Sequence, residues 1–204
     1  MEDTLESLLQ SSPLLWRGRG GASHAIAVWP TGFADLDGLL PGSGWPRHGL
    51  LELLAPEWGI GELQLLLPAL TAASGAGQRL VLIAPPYIPY APALASAGVD
   101  LSRLLLLQPK GQAEIAWAME QALRQPACAM VLAWPGALKS VMVRRLQLAA
   151  EAGRSLGILL LQRDWGGSPA ALRLRLRPQP EGLQVQILKS RASCRRQSVE
   201  LPLA

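Results

Sequence analysis

This chain has few residues that could bind a metal or form a disulfide. Its 204 residues include two cysteines and two histidines, and none of them has the spacing of a metal site. Cys128 lies in an apolar run and is predicted to be a buried thiol. His24 and His48 have no cysteine or carboxylate at ligand spacing. We therefore expect no metal, no cofactor and, in a reducing compartment, no disulfide.

Long hydrophobic runs and a basic leader are also missing. The apolar runs are shorter than about ten residues, whereas a membrane-spanning helix needs about twenty. The first segment, MEDTLESLLQ, is acidic, unlike the basic start of a secretion signal. These absences predict a cytoplasmic protein without membrane contact, which joins the nucleoid only when partners recruit it.

Charge is scarce and unevenly placed. Only 17% of the residues are charged and 50% are hydrophobic, which predicts a large core and a covered partner surface. The formal net charge is +4, and residues 163–196 hold eight basic residues against two acidic ones. This segment could face nucleic acid, an acidic protein or only solvent. The candidate basic patch is Arg173, Arg175, Arg177, Lys189, Arg191, Arg195 and Arg196.

Apolar segments alternate with amphipathic ones through the middle of the chain. Strands that are apolar throughout and alternate with helices are typical of an α/β fold with a parallel sheet buried on both faces. The predicted strands are 50–55, 79–86, 104–109, 127–134 and 155–162, and the predicted helices are 61–74, 91–97, 111–124 and 137–152. Residues 171–178 and 183–190 alternate strictly, which predicts an antiparallel hairpin with one apolar and one polar face at the sheet edge.

The first 28 residues differ from the body at 29–204. Residues 2–10 predict a short helix, and the stretch after it is rich in glycine and reads as a linker. Such a helix cannot bury its apolar side alone, so it docks either on its own body or on another protein. The partner-binding candidates in this arm are Leu5, Leu8, Leu9, Trp16 and Arg17. At the start of the body, Asp35 and Asp37 are predicted to cap a short helix.

The order of segments resembles the RecA-type recombinase core from about residue 30 to 200. The lead-in PTGFADLDGLLPGSGWPRHGLLELLAPE (30–57), the α/β units and the hairpin ending in LKSR carry this resemblance. Within that superfamily, WRGRG, GIGELQLLLPAL, LIAPPYIPYAPAL and LKSRASCRRQSVELPL are similar to the ImuA family, the RecA-like accessory proteins of mutagenic translesion synthesis. The stretch from LIAPP to LLLLQPK also resembles SulA, the SOS cell-division inhibitor.

The phosphate loop of the RecA-type core is degenerate in this chain. An active loop reads G-x-x-x-x-G-K-[ST], in which backbone N–H groups and the lysine hold phosphates and the hydroxyl binds Mg²⁺. Here Ala55 stands at the first glycine, the spacing through Gly59 to Gly61 is one residue too long, and Glu62 and Leu63 replace Lys and Ser/Thr. A carboxylate about 4 Å from a phosphate oxygen repels it by roughly 4 kcal/mol. We expect no nucleotide binding at this loop.

The resemblance places two further acidic groups that are also missing. The catalytic glutamate would follow the strand from residue 79, where the chain reads APPYIP, and the metal-organising aspartate would follow MVLA, where it reads Trp134–Pro135. We therefore expect a pseudo-ATPase with no catalytic residues. The connections at the DNA-binding loop positions are too short for RecA-style strand binding. Lys189 and Arg191 match a K-x-K position of recombinases and are interpreted as surface charges or protein contacts.

The resemblance implies a non-catalytic adaptor in SOS-induced mutagenic translesion DNA synthesis. Its implied partner is an ImuB-like Y-family polymerase homologue, with RecA and the error-prone replicative-type polymerase as further candidates. The alternatives are a SulA-type inhibitor that binds the division GTPase FtsZ, or a residual ATPase. Direct contact with DNA and the oligomeric state stay open at this point.

Overall fold

The computed structural model describes residues 27–164, 166, 168–190 and 197–203. The predicted N-terminal helical arm, with its candidates Leu5, Leu8, Leu9, Trp16 and Arg17, lies outside these residues. The division of the chain into an arm at residues 1–28 and a body at 29–204 therefore remains a prediction.

Helices and strands alternate through most of the described chain. The helices are α1 (Ala34–Asp37), α2 (Glu62–Gly75), α3 (Ala91–Ser96), α4 (Gln112–Leu123) and α5 (Ser140–Gly153), with a 3₁₀ turn at Leu101–Arg103. The strands are β1 (Val28–Trp29), β2 (Trp45–Pro46), β3 (Gly49–Leu54), β4 (Arg79–Ile83), β5 (Leu104–Leu107), β6 (Cys128–Ala133), β7 (Leu156–Leu161), β8 (Leu172–Gln179), β9 (Gly182–Ser190) and β10 (Ser198–Pro202).

Eight of these strands form one mostly parallel sheet, which confirms the predicted α/β class. Their order is β10-β9-β8-β3-β7-β6-β4-β5. The pairings from β8 to β5 are all parallel. The predicted hairpin β8–β9 is antiparallel, and β10 extends it by one more antiparallel strand. No strand was predicted from the sequence at residues 198–202.

Two boundaries differ from prediction by three residues because of backbone chemistry. The strand predicted to reach residue 86 ends at Ile83, since Ala84 has φ 52° and the next two residues are prolines, which lack an N–H for the ladder. The helix predicted from residue 137 begins at Ser140. The backbone after Pro135 is not yet helical, because Gly136 has a positive φ and Lys139 is still extended.

The sheet is covered on both faces, because side chains along each buried strand alternate between two cores. Leu51 and Leu53 of β3 pack in the first core with Leu65 and Leu66 of α2. Leu50 packs in the second core beneath α4 and α5. None of the described helices is long and apolar enough to cross a membrane.

The lead-in packs on the first core and fixes the entry to β3. Trp29 and Trp45 face each other across the short β1–β2 pair and are buried. The Arg47 guanidinium lies 3.6 Å from the centre of the Trp29 ring, a cation–π contact. Gly32, with φ 83°, lies so close to Pro68 of α2 that a β-carbon there would collide with it.

The predicted capping by Asp35 and Asp37 is wrong. Both aspartates lie inside α1, whose N-cap is Phe33, and no side chain caps that end. The Thr31 hydroxyl instead donates a hydrogen bond to the Asp37 carboxylate at 2.7 Å. Asp37 thus holds the lead-in turn in place.

Candidate functional site

The degenerate phosphate loop connects β3 to α2, at the carboxyl end of a central strand. β3 ends at Leu54 and α2 begins at Glu62, so the strand–loop–helix layout predicted from the sequence is present. Gly59 and Gly61 both have positive φ, 84° and 105°, a backbone shape that strongly favours glycine. The predicted loop residues Gly59, Gly61, Glu62 and Leu63 are therefore brought together at one helix N-terminus.

Glu62 points back into this loop and fills it with a carboxylate. Its side chain is buried, and the Gly59 N–H donates to both carboxylate oxygens, at 3.0 and 3.1 Å. A negative charge in the first helical turn is also favoured by the helix dipole. The chain thereby places a carboxylate on the Gly59 N–H of this loop.

The C-terminal residues lie over the same loop. A β-carbon on Gly61 would collide with the Leu203 side chain, which follows β10. Leu203 packs with Trp58, Ile60 and Leu63 against the first core. The loop is therefore held from inside by Glu62 and from outside by the end of the chain.

The connections after β4 and β6 contain no carboxylate. The residues after β4 begin with Ala84 and two prolines, and those after β6 begin with Trp134, which is buried, and Pro135. Among the described residues, no group of three or more histidine, cysteine, aspartate or glutamate side chains could hold a metal ion.

A buried ionic network on β3 was not anticipated from the sequence. Glu52 is 2% exposed and lies opposite Arg173 of β8 in the sheet register. Its carboxylate accepts a hydrogen bond from Arg173 Nε at 2.6 Å and another from the Ser168 hydroxyl. Arg173 Nη2 donates to the Asp164 carboxylate at 2.7 Å. The network ties β3, β8 and the connection after β7 to one another.

Arg173 and Asp164 of this network are stabilised in their charged forms. A hydrogen bond from Arg173 holds the pKa of Asp164 below its usual value, helped by the Gly166 N–H. Burial opposes the charge of Arg173, but its hydrogen bonds to Asp164 and Glu52 outweigh burial and raise its pKa. Glu52 and Arg173 border a cavity of about 230 Å³. The two charged groups that border this cavity therefore bind each other.

The prediction of a uniformly polar face on the hairpin is wrong at Arg173. That side chain is buried because β8 pairs with β3, inside the sheet, where Glu52 needs a cation. Arg175 is half-buried, and Arg177 and Lys189 are exposed. Glu52 is the lone acid in the apolar segment LLELL. This isolated charge is the sequence feature from which a buried ion pair could have been predicted. The remaining basic-patch candidates, Arg191, Arg195 and Arg196, lie outside the described residues.

A second candidate surface is the groove beside the edge strand β5, which we call the β5–α4 groove. It encloses about 420 Å³, and most of its wall is apolar. Leu105 and Trp117 contribute to it while 49% and 66% exposed. Its apolar wall residues are Val81, Leu105, Leu107, Trp117, Ala118, Ala122, Ala127 and Cys128. Burial raises the pKa of the Cys128 thiol to about 11, so this cysteine packs as a neutral group.

Comparison with known proteins shows that the chain is similar to ImuA, SulA and RecA proteins. No protein-family model matches it. It is 30% identical over 180 residues to Protein ImuA of Caulobacter vibrioides, covering 79% of this chain and 73% of that protein. It is 37% identical over 99 residues to the cell division inhibitor SulA of Edwardsiella piscicida, covering 48% of this chain and 59% of SulA.

Shorter matches extend this relationship. Protein RecA of Acholeplasma laidlawii is 37% identical over 92 residues, 44% of this chain and 27% of that RecA. The crystal structure of SulA from Pseudomonas aeruginosa matches at 30% identity and a TM-score of 0.46, covering 54% of this chain and 97% of that chain. Since the ImuA match alone covers more than two thirds of both chains, the protein belongs to the ImuA family and is related to SulA.

Proposed function

We propose that this protein is a non-catalytic RecA-like adaptor of SOS-induced mutagenic translesion DNA synthesis. Family membership supports the DNA-damage setting. The observation that carries the non-catalytic part is the Glu62 carboxylate bound to the Gly59 N–H, inside the loop that would need to bind phosphate. An adaptor whose loop is closed in this way acts without a nucleotide.

The β5–α4 groove is the surface that best supports partner binding by this adaptor. β5 is an edge strand of four leucines, and an unpaired edge offers N–H and C=O groups to an incoming strand. Natural edge strands are usually protected by charges or prolines, yet Leu105 and Leu106 are 49% and 37% exposed here. We infer that an extended apolar segment of the ImuB-like polymerase homologue pairs with β5 and inserts side chains into this groove.

Co-purification tests the adaptor role and its surface together. The full chain is mixed with the ImuB-like protein, with RecA and with the error-prone replicative-type polymerase, in the presence and absence of nuclease. Leu105→Glu puts a charge into the groove and should abolish capture of the ImuB-like protein. Leu148→Glu is the matched control, because Leu148 of α5 is also exposed, at 58%, and does not line the groove.

The N-terminal arm is the other candidate contact. Replacing Leu5, Leu8 and Leu9 by aspartate together should weaken capture if the arm reaches the partner. Capture that survives both the arm substitutions and Leu105→Glu would contradict these contact surfaces. Absence of capture by the unaltered protein, or capture that nuclease abolishes, would contradict the adaptor proposal.

A SulA-type function is the alternative, and the 37% identity to SulA over 99 residues favours it. Against it, the match to SulA covers 48% of this chain, whereas the match to ImuA covers 79%. Overproduction separates the two functions. Filamentation together with direct binding to purified FtsZ would establish the SulA-type role.

A further inference from the structure

The connection after β4 carries three large apolar side chains that project into solvent. Tyr87, Ile88 and Tyr90 are 74%, 77% and 73% exposed, far more than large apolar side chains usually are. The chain leaves the sheet at Ala84, whose φ is 52°, and returns to the core at Leu94, which is buried. The connection is therefore fixed at both ends, and we call its three exposed side chains the β4 tip.

The β4 tip lies in a stretch of the chain without charge. Residues 80–99 contain no aspartate, glutamate, lysine or arginine. Exposed apolar side chains that are grouped in this way mark contacts with another protein or with a membrane. In either case the contact made by the tip itself depends on apolar surface rather than on ion pairs.

Prolines leave this connection with few hydrogen-bond donors. Residues 85, 86, 89 and 92 are prolines, which have no backbone N–H. A backbone N–H that leaves water without a partner costs free energy, so a connection with few of them enters an apolar layer more easily. Their fixed φ angles also mean that the tip loses little conformational entropy on binding. Tyrosine suits the boundary of a bilayer in particular, because its ring lies among acyl chains while its hydroxyl stays among the headgroups.

Two lysines flank the tip. β4 lies between β5 and β6 in the sheet, and Lys110 follows β5 whereas Lys139 follows β6. These two connections meet, since a β-carbon on Gly136 would lie 2.9 Å from the Gln112 amide nitrogen. Both lysines are exposed, and neither forms an ion pair with another described residue. Glu114, the acid nearest to Lys110 in the chain, accepts a hydrogen bond from the Lys110 backbone N–H at 3.0 Å.

We propose that the β4 tip inserts into the boundary between the headgroups and acyl chains of a lipid bilayer, with Lys110 and Lys139 facing anionic headgroups. A pocket of a partner protein would also suit the rings. The combination of a charge-free tip, a backbone poor in donors and flanking lysines favours the bilayer. One apolar anchor alone gives only marginal membrane binding, and cations beside it supply a second attraction.

This contact is peripheral and needs no spanning segment. The prediction of no membrane contact rested on short apolar runs and an acidic start, two features that concern spanning helices and secretion signals. A tip that enters the bilayer boundary by about 5–10 Å requires neither. No nucleotide or partner protein takes part, so the site goes beyond the adaptor function and does not depend on it.

Co-sedimentation of the full chain with sucrose-loaded vesicles tests the β4 tip. One set of vesicles is pure palmitoyl-oleoyl phosphatidylcholine, and the other contains phosphatidylcholine and phosphatidylglycerol in a ratio of three to one. The unaltered protein should bind both sets, and the anionic set more tightly. Tyr87→Ser, Ile88→Ser and Tyr90→Ser together should weaken binding to both sets about a hundredfold or more, because the three apolar contacts with lipid are lost.

The lysines are tested separately from the tip. Each cation near an anionic leaflet strengthens binding about fivefold, so Lys110→Gln with Lys139→Gln should weaken binding to the anionic vesicles by up to about thirtyfold. The same variant should bind pure phosphatidylcholine as the unaltered protein does. Added NaCl should weaken binding to the anionic vesicles only.

Tyr87→Trp with Tyr90→Trp tests whether the rings lie at a bilayer boundary. Tryptophan also favours that boundary, so this variant should bind both sets of vesicles at least as tightly as the unaltered protein. Leu148→Ser is the matched control and should leave binding unchanged, because Leu148 is exposed, at 58%, but lies about 12 Å along α5 from its start. Thermal melts check that each variant stays folded.

Three results would overturn the proposal. The first is absence of binding to the anionic vesicles. The second is binding of the triple serine variant within twofold of the unaltered protein, which would place the lipid contact elsewhere. The third is loss of vesicle binding in the double tryptophan variant.

A protein partner at the tip would give a different pattern. In that case vesicles are not bound, and the triple serine variant no longer captures the ImuB-like protein. Leu105→Glu tests the β5–α4 groove in the absence of lipid, so the groove and the lipid contact fail separately.

Discussion

Replacement of Glu62 by glutamine tests whether the phosphate loop is closed by the chain's own carboxylate. The Gly59 nitrogen lies 3.0 and 3.1 Å from the two carboxylate oxygens of Glu62. A phosphate bound to this N–H would therefore lie within about 4 Å of the negative charge of Glu62. At an effective dielectric constant near 20, two unit charges at 4 Å repel by about 4 kcal/mol. That energy corresponds to a factor of about a thousand in the dissociation constant.

Titration with a fluorescent ATP analogue and Mg²⁺, and calorimetry with pyrophosphate, measure this factor. We expect no saturation of the unaltered protein at millimolar ligand. Glu62→Gln should bind up to a thousandfold more tightly than the unaltered protein yet remain weak, because the lysine of an active loop is still missing. Glu62→Lys should bind more tightly again. Glu57→Gln removes the same charge from an exposed position of the same loop and should leave binding unchanged.

The same substitution also has a cost in stability. A hydrogen bond to a charged group contributes about 1.5–3 kcal/mol, so Glu62→Gln should lower the Tm by about 3–12 °C. Micromolar binding of Mg-ATP to the unaltered protein, not improved by either substitution at residue 62, would refute the reasoning. An unchanged Tm in Glu62→Gln would show that the carboxylate does not hold the loop.

Three further predictions concern the buried charges and the thiol. Arg173→Leu leaves Glu52 buried without its cation and should lower the free energy of unfolding by about 3–5 kcal/mol, whereas adding Glu52→Leu should restore most of it in urea unfolding; equal losses in the two variants would contradict the pairing. The lowered pKa of Asp164 means that its stabilisation is present above about pH 3.8 and is lost as the pH falls through the lower folded value. Asp164→Asn should therefore make the decrease of Tm below pH 5 less steep. An equally steep decrease in the variant would count against the ion pair. In a Cys194→Ser background, the Cys128 thiol, with a pKa of about 11, should react with a chromogenic disulfide at pH 8 only after unfolding, and fast reaction in the native variant would place it at the surface.

Most of the parallel sheet could be predicted because its central strands are almost entirely apolar. Segments such as LLELL, CAMVLA and LGILLL can only be buried on both faces, and the helices between them have a 3.6-residue period. β10 was missed for the opposite reason. Its sequence SVELP is mixed and short, and it becomes a strand only because β9 offers a free edge.

The site could be predicted in composition but not in contacts. The sequence identifies Glu62 as an acid at the lysine position, yet it does not tell whether the carboxylate points to solvent or into the loop. The partner of Glu52 could not be found locally either, because Arg173 follows it by 121 residues and meets it only through the β3–β8 pairing. The alternation of leucine and arginine in β8 suggested that its three arginines share one solvated face. Which of them is buried is decided instead by the neighbouring strand, β3.

The position of Glu62 also explains how a phosphate loop can persist without its ligand. A helix N-terminus and the N–H groups of a glycine-rich turn favour an anion, and a loop that lost its nucleotide would leave them unsatisfied. Glu62 supplies that anion from within the chain, and Leu203 covers the loop from outside. Under the proposed non-catalytic role, the shape of the body does not depend on ATP, so the β5–α4 groove on the same sheet should present one constant geometry to a partner. Capture of the ImuB-like protein should accordingly be the same with and without Mg-ATP, and a strong nucleotide dependence would mean that the loop still opens to phosphate.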